Sequence, residues 1–210
     1  HLTRGEIIAQ LCGDHSPEVT KLLQQAINDS DDKVRLAVVQ NYSHVAPQLR
    51  TEYEKLLSDS SYLIIELALH NLCASFPENC SLYLKQTRNQ TGWRGKNIRI
   101  CWLETAVSNG NQKVLNELKD YTSSSYDFET RINSAYALKR LNILDAQTAA
   151  NMLEGLSHWN FKIRAAESEC LSYFYAQTAY RKLIDKVIEA GISAKSAEAF
   201  ETIRKQSKTQ

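Results

Sequence analysis

Asp29-Ser30-Asp31-Asp32-Lys33-Val34-Arg35-Leu36-Ala37 is the stretch on which the reading of this chain turns. Acidic and hydroxyl residues come first, then an apolar residue, a charged one, and small or apolar residues. The same order returns at Ile65-Glu66-Leu67-Ala68, Ile98-Arg99-Ile100-Cys101, Thr130-Arg131-Ile132-Asn133 and Ile163-Arg164-Ala165-Ala166. Positions 35, 66, 99, 131 and 164 lie 31, 33, 32 and 33 residues apart. A fixed period of this size marks a stack of supersecondary units, each too small to bury its own apolar face.

Each recurrence follows residues whose side-chain oxygens can accept from the free amides of a helix start: Asp29 to Asp32, Asp59 to Ser61, Asn97, Ser123 to Asp127, and Asn160. The charged slot therefore falls in a first helical turn. Upstream of Arg35 a separate helix is predicted, with Val19, Leu22, Leu23, Ala26 and Ile27 on one stripe and Ser16-Pro17 as its start. The second pair opens near Pro47 with Leu49, Tyr53, Leu56 and Leu57 and returns through Ile65, Ala68, Leu69 and Leu72. The third opens at Pro77 with Tyr83 and Leu84 and returns through Ile98, Cys101, Trp102 and Thr105. Leu118 with Leu138, and Met152 with Phe174, anchor the fourth and fifth pairs. A sixth runs from Leu183 to Gly191 and ends in a weaker helix around Ala197 to Ile203.

A lone pair would not hold. Four buried aliphatic side chains gain roughly 6–12 kcal/mol, whereas ordering a dozen backbone residues costs roughly 12–24 kcal/mol. Stacking buries a second face of each helix and lets stability accumulate unit by unit. The fold class is thus all-α: an α-α superhelix, a HEAT/armadillo-like solenoid of five to six antiparallel helix pairs. It is read as a single domain over residues 1–204, followed by a polar tail, 205–210, predicted to fray. The first residues, His1 to Ile8, lack a signal core, and the chain reads as starting partway through a helix, as a piece of something longer would.

Composition excludes several functions. Net charge is +1 with Lys and Arg dispersed, so no nucleic-acid partner is expected. No run of 18 apolar residues exists, so none crosses a membrane as a helix. The five cysteines, Cys12, Cys73, Cys80, Cys101 and Cys170, show no CxxC spacing and are read as buried small apolar residues. Cys73 and Cys80 could approach across a helix corner, which sequence alone does not show. The histidines at 1, 15, 44, 70 and 158 form no His-Glu-x-x-His, and nucleophile elbows and phosphate-cradling glycine loops are missing. No catalytic residue, metal ligand or cofactor site is predicted in this chain.

Thr91-Gly92-Trp93-Arg94-Gly95-Lys96-Asn97 is the most distinctive loop, since two glycines flank an aromatic and a cation and a second cation follows. Trp93, Arg94, Lys96 and Arg99 are the candidate partner- or substrate-facing residues; the alternative is a tight inter-helix loop with Trp93 folded back on the solenoid. The slots Arg35, Glu66, Arg99, Arg131 and Arg164 carry a similar choice between capping with inter-repeat hydrogen bonds and ligand contact. In Tyr173-Phe174-Tyr175, one helix divides its aromatics between core and surface.

The ankyrin and tetratricopeptide signatures are absent, while an acidic residue before Val-Arg and a small residue after it resemble HEAT repeats. Later copies depart from that pattern: Glu66 replaces the Arg, and Arg99 and Arg164 lack the preceding acid. A more particular likeness lies in Leu56-Leu57-Ser58-Asp59-Ser60-Ser61-Tyr62, Glu66, Ala68, Leu69, Phe76-Pro77, Tyr83-Leu84, Thr87, Gly92, Asn97, Arg99-Ile100 and Trp102-Leu103. Over roughly residues 29 to 107 the chain resembles the C-terminal HEAT-like region of bacterial zinc aminopeptidases of the aminopeptidase N family. The resemblance implies a non-catalytic domain that packs on its own N-terminal catalytic domain and walls the cavity that peptide substrate enters. Zinc and the Gly-Ala-Met-Glu-Asn motif would belong to that preceding domain. The alternative is an independent HEAT-repeat adaptor that binds a protein or peptide in its concave groove.

Overall fold

The structure, a computed structural model, describes residues 3–14 and 16–206. Among them there are thirteen α-helices and no strand. The chain divides into two compact units, one of residues 1–93 and 97–105, the other of 94–96 and 106–210.

The first unit begins with α1 (Arg4–Leu11), α2 (Pro17–Ile27) and α3 (Asp32–Asn41). The expected half-helix at the start is corrected: Thr3 caps α1 from outside, accepting from the Glu6 amide while the Glu6 carboxylate accepts from the Thr3 amide. Ser16 caps α2 with Pro17 in its first turn, and Asp31 caps α3. Next come α4 (Arg50–Glu54), α5 (Tyr62–Ser75), α6 (Cys80–Thr87) and α7 (Asn97–Ser108), whose last residues, from Ala106, belong to the second unit. The first helix of the second pair is not continuous, because 3₁₀ turns at Pro47–Leu49 and Lys55–Ser58 flank α4. It still buries Leu49, Tyr53, Leu56 and Leu57.

Inside this unit α3 packs on α1 and α5, while α2 and α4 lie beside them. A buried polar bridge ties consecutive pairs: Asn71 on α5 donates to the carbonyl of Val39 (2.8 Å) and to the Tyr53 hydroxyl (2.8 Å), which donates to the Tyr42 carbonyl (3.2 Å). Satisfying those groups is what allows them to be buried. Leu22, predicted on the apolar stripe of α2, is instead 44% exposed, and its neighbour Leu23 takes the core position at 1%. Cys73 and Cys80 form a disulfide across the corner between α5 and α6, correcting their reading as buried thiols; Cys12, Cys101 and Cys170 are buried and stand outside any disulfide.

The second unit holds α8 (Leu115–Asp120), α9 (Phe128–Leu141), α10 (Ala146–Gly155), α11 (Phe161–Tyr175), α12 (Thr178–Ala190) and α13 (Ala194–Gln206). Asp127, Asp145 and Asn160 cap α9, α10 and α11 through their side chains. α9 packs on α11, α10 lies against α11 and α12, and α13 closes on α10 and α11. The last helix is firmer than its sequence suggests, since Phe200 and Ile203 are buried and Phe200 meets Tyr175 edge to face. Lys205 and Gln206 continue α13; the rest of the predicted tail, 207–210, lies outside the described residues.

Candidate functional site

The charged slots sit where two kinds of bond are available, one back to the turn before their own helix and one forward to the next pair. Arg35 does both. Its Nη1 donates to the Asp29 carbonyl at 2.7 Å, and Nε and Nη2 fork onto the Asp59 carboxylate at 2.6 and 3.0 Å. Burial of Asp59 favours its neutral form, but the bonds from Arg35 and from the Ser61 amide hold its carboxyl below the usual range. Glu66 accepts from Asn97 Nδ2 at 2.7 Å, joining α5 to the start of α7. Arg164 clamps its own turn, with Nη1 donating to the carbonyls of His158 and Trp159 at 2.8 Å each.

Arg131 is the deepest slot, at 2% exposure. Its Nε donates to the Thr122 carbonyl, and Nη2 to the Asn151 carbonyl and the Glu154 carboxylate at 3.0 Å. Beneath it lies Glu167 of α11, fully buried, with neither carboxylate oxygen accepting a hydrogen bond. Gly155 makes the room, because a Cβ there would stand 2.7 Å from Glu167 Cγ and 3.3 Å from Arg131 Nη2. Burial pushes the Glu167 carboxyl up to about 8, against the pull of Arg131 and with the push of Glu154. This triangle escapes a sequence reading, since Glu167 stands in the helix as an ordinary polar residue and only packing reveals its depth.

The loop residues predicted to face a partner divide between the units. Trp93 belongs to the first and is 72% exposed, so its ring is not folded into the core. Gly92 reaches φ +83° before it, and a Cβ there would collide with the Asn97 side chain at 2.2 Å. Arg99 lies in the same unit; its guanidinium stacks 4.5 Å from the Trp102 ring centroid and Nη1 donates to the Arg88 carbonyl at 3.5 Å. Arg94 and Lys96 belong to the second unit, where Arg94 is exposed and the Lys96 ammonium lies 5.7 Å from the Tyr121 ring centroid.

The corner between α10 and α11 carries a surface that the sequence reading missed. Trp159 is 78% and Phe161 65% exposed, and Trp159 meets Phe128 edge to face. Two large aromatics flanking the cap residue Asn160 were the available signal, since adjacent apolar side chains at one turn can form an exposed patch.

Among the described residues no group of three or more His, Cys, Asp and Glu is placed to hold a metal ion; His1 and His15 lie outside them. The free thiols of Cys12 and Cys170 are pushed by burial up to about 11 and about 12, which keeps them protonated and poorly nucleophilic at neutral pH. No helix among the described residues is long and apolar enough to cross a membrane. The surface presents exposed aromatics, Trp93, Trp159 and Phe161 among them, beside turns pinned by arginine-to-carbonyl hydrogen bonds such as that of Arg164. Neither a protein-family model nor a curated protein sequence matches this chain.

Proposed function

We propose that this chain is a non-catalytic HEAT-type domain of a zinc aminopeptidase of the aminopeptidase N kind, packing on the catalytic domain and walling the cavity through which peptides reach the zinc. One observation carries the reading: the residues of the resemblance are those that build the middle of the first unit. Leu56, Leu57, Ala68, Leu69, Phe76, Tyr83 and Thr87 are buried, and Asp59 takes the Arg35 fork. Trp102 donates from Nε1 to the Leu84 carbonyl at 2.7 Å. In a close-packed interior each member of such a set fixes the position of another, and together they give the wall its shape.

The coding sequence upstream of His1 tests it. A His-Glu-x-x-His segment, zinc in the natural protein and hydrolysis of aminoacyl chromogenic substrates are the expected results, with none of that hydrolysis in the 210-residue chain alone. An upstream sequence without the zinc motif overturns the proposal. A second reading, an independent adaptor for peptides, is favoured by Trp159 and Phe161 standing 78% and 65% exposed on one corner. It requires a parent without a peptidase domain and a peptide affinity that falls on Trp159→Ala.

A further inference from the structure

Arg131 and Glu167 face one another across a gap that Gly155 keeps open. Arg131 Nη2 and Glu167 Cδ each lie 3.3 Å from the point where a Cβ on Gly155 would stand, yet no hydrogen bond joins them. The guanidinium turns away instead. Its Nε donates to the Thr122 carbonyl at 3.1 Å, and Nη2 to the Asn151 carbonyl at 3.2 Å and the Glu154 carboxylate at 3.0 Å. One cation thus has two acids beside it and is bonded to the one that needs it less. The Glu154 side chain is 54% exposed and water can solvate it, whereas Glu167 is sealed.

That arrangement suits an uncharged Glu167. A buried carboxylate without a partner is far costlier than a surface one, so an ionised Glu167 takes Arg131 from Glu154. The charges that act on Glu167 are those of Arg131 on α9 and Glu154 on α10. Elsewhere on α9, Tyr136 and Lys139 are bonded to Glu169, and Lys139 and Arg140 act on the Cys170 thiol, which burial keeps protonated. Arg181 and Asp185 of α12 and Arg204 of α13 meet α11 at its far end, Tyr175, where Asp185 and Arg204 also pair with each other at 2.8 Å.

The corner between α10 and α11 hangs from Glu154 and Gly155. Their carbonyls accept from the amides of Ser157 and His158 at 3.1 Å each, and Arg164 pins the carbonyls of His158 and Trp159. The bond from Arg131 to the Glu154 side chain ties this stem to α9.

We propose that Arg131 is a two-position latch: when Glu167 loses its proton, the guanidinium pivots on its Thr122 bond from Glu154 to Glu167, and the corner that presents Trp159 and Phe161 loosens. The proton leaves to water and returns as pH falls. Burial sets the half-point, which places the change at about pH 8. Below it the corner is fastened to α9, and above it the corner is mobile.

Carbon-13 NMR of the glutamate carboxyls in the 210-residue chain, followed from about pH 6 to about pH 10, tests the latch. The Glu154 signal is expected to show a step that coincides with the titration of Glu167, because Glu154 loses its cation at that point. Amide exchange at His158, corrected for its intrinsic rate, is expected to quicken about tenfold or more between about pH 7 and about pH 9 in the natural chain and to change by less than about twofold in Glu167→Gln. A Glu154 signal that stays level while Glu167 titrates overturns the proposal, as does a Glu167 that does not titrate in that range. Exchange at His158 that quickens equally in both chains overturns it too. If Glu167→Gln does not fold, the carboxyl titration of the natural chain decides alone.

Discussion

Arg35 and Asp59, 24 residues apart, meet in a two-bond fork in which Nε–Oδ2 is 2.6 Å and Nη2–Oδ1 is 3.0 Å, with their side chains 13% and 5% exposed. The pair fixes the distance between the turn before α3 and the turn before α5, and so sets how one helix pair lies on the next. Its shielding from water is what separates it from the surface pairs of this protein, such as Lys55 with Glu52.

Removing one partner leaves a charge without compensation. Asp59→Ala is expected to lower the unfolding free energy by about 3–5 kcal/mol. The double variant Asp59→Ala with Arg35→Met should recover part of that loss, read as the coupling in a urea-denaturation cycle. Because the folded carboxyl of Asp59 is held below its ordinary value of 3.8, its contribution is present above that value and is lost as pH falls through the folded pKa. The Asp59→Ala chain should therefore show a shallower loss of stability in acid.

Glu167 has the opposite sign. Its folded carboxyl sits at about 8 against an ordinary 4.5, so its favourable contribution is complete below pH 4.5 and is lost as pH rises to about 8. Glu167→Gln removes the titration without changing the shape. It should stabilise the chain by about 1–3 kcal/mol at pH 9 and by little at pH 5, measured as midpoint shifts at the two pH values. Equal shifts at both would mean that Glu167 is ionised throughout, paired with Arg131.

The disulfide closes a short loop, with a sequence separation of 7 residues between Cys73 and Cys80. Chain-entropy arguments put its worth at about 2–3 kcal/mol for a loop of that size. Dithiothreitol should lower the thermal midpoint of the natural chain and leave the Cys73→Ser, Cys80→Ser double variant unmoved. Alkylation under denaturing, non-reducing conditions should find three thiols, those of Cys12, Cys101 and Cys170.

Gly95 adopts φ +75°, and a Cβ there would stand 2.7 Å from Asn133 Nδ2 and 3.0 Å from Glu129 Cβ. Asn133 also donates to the Gly95 carbonyl at 2.8 Å, so the turn is held against α9 at the point of contact. Gly95→Ala combines the left-handed cost with the collision and should destabilise by about 2–4 kcal/mol in thermal unfolding.

Local chemistry made much of this protein legible in its sequence. The helix starts at Asp31, Asp127 and Asn160 follow from side-chain oxygens meeting free amides a few residues away, and the alternation of pairs follows from a charged slot recurring every 31 to 33 residues. Those signals are short in range, so they survive being read along a line. What required the folded chain is burial, which depends on neighbours far away in sequence. Leu22 and Leu23 are equally apolar, and only the packing of α2 against α3 and α4 leaves the first in water and hides the second. Glu167 and Glu169 are both acids of one helix, yet one is sealed beneath Arg131 while the other pairs with Lys139 at the surface. Cys73 and Cys80 became a disulfide because the corner between α5 and α6 turns their side chains together. The period along the chain determined that helices stack in pairs; which side chains end up covered, paired or left bare was decided by the third dimension.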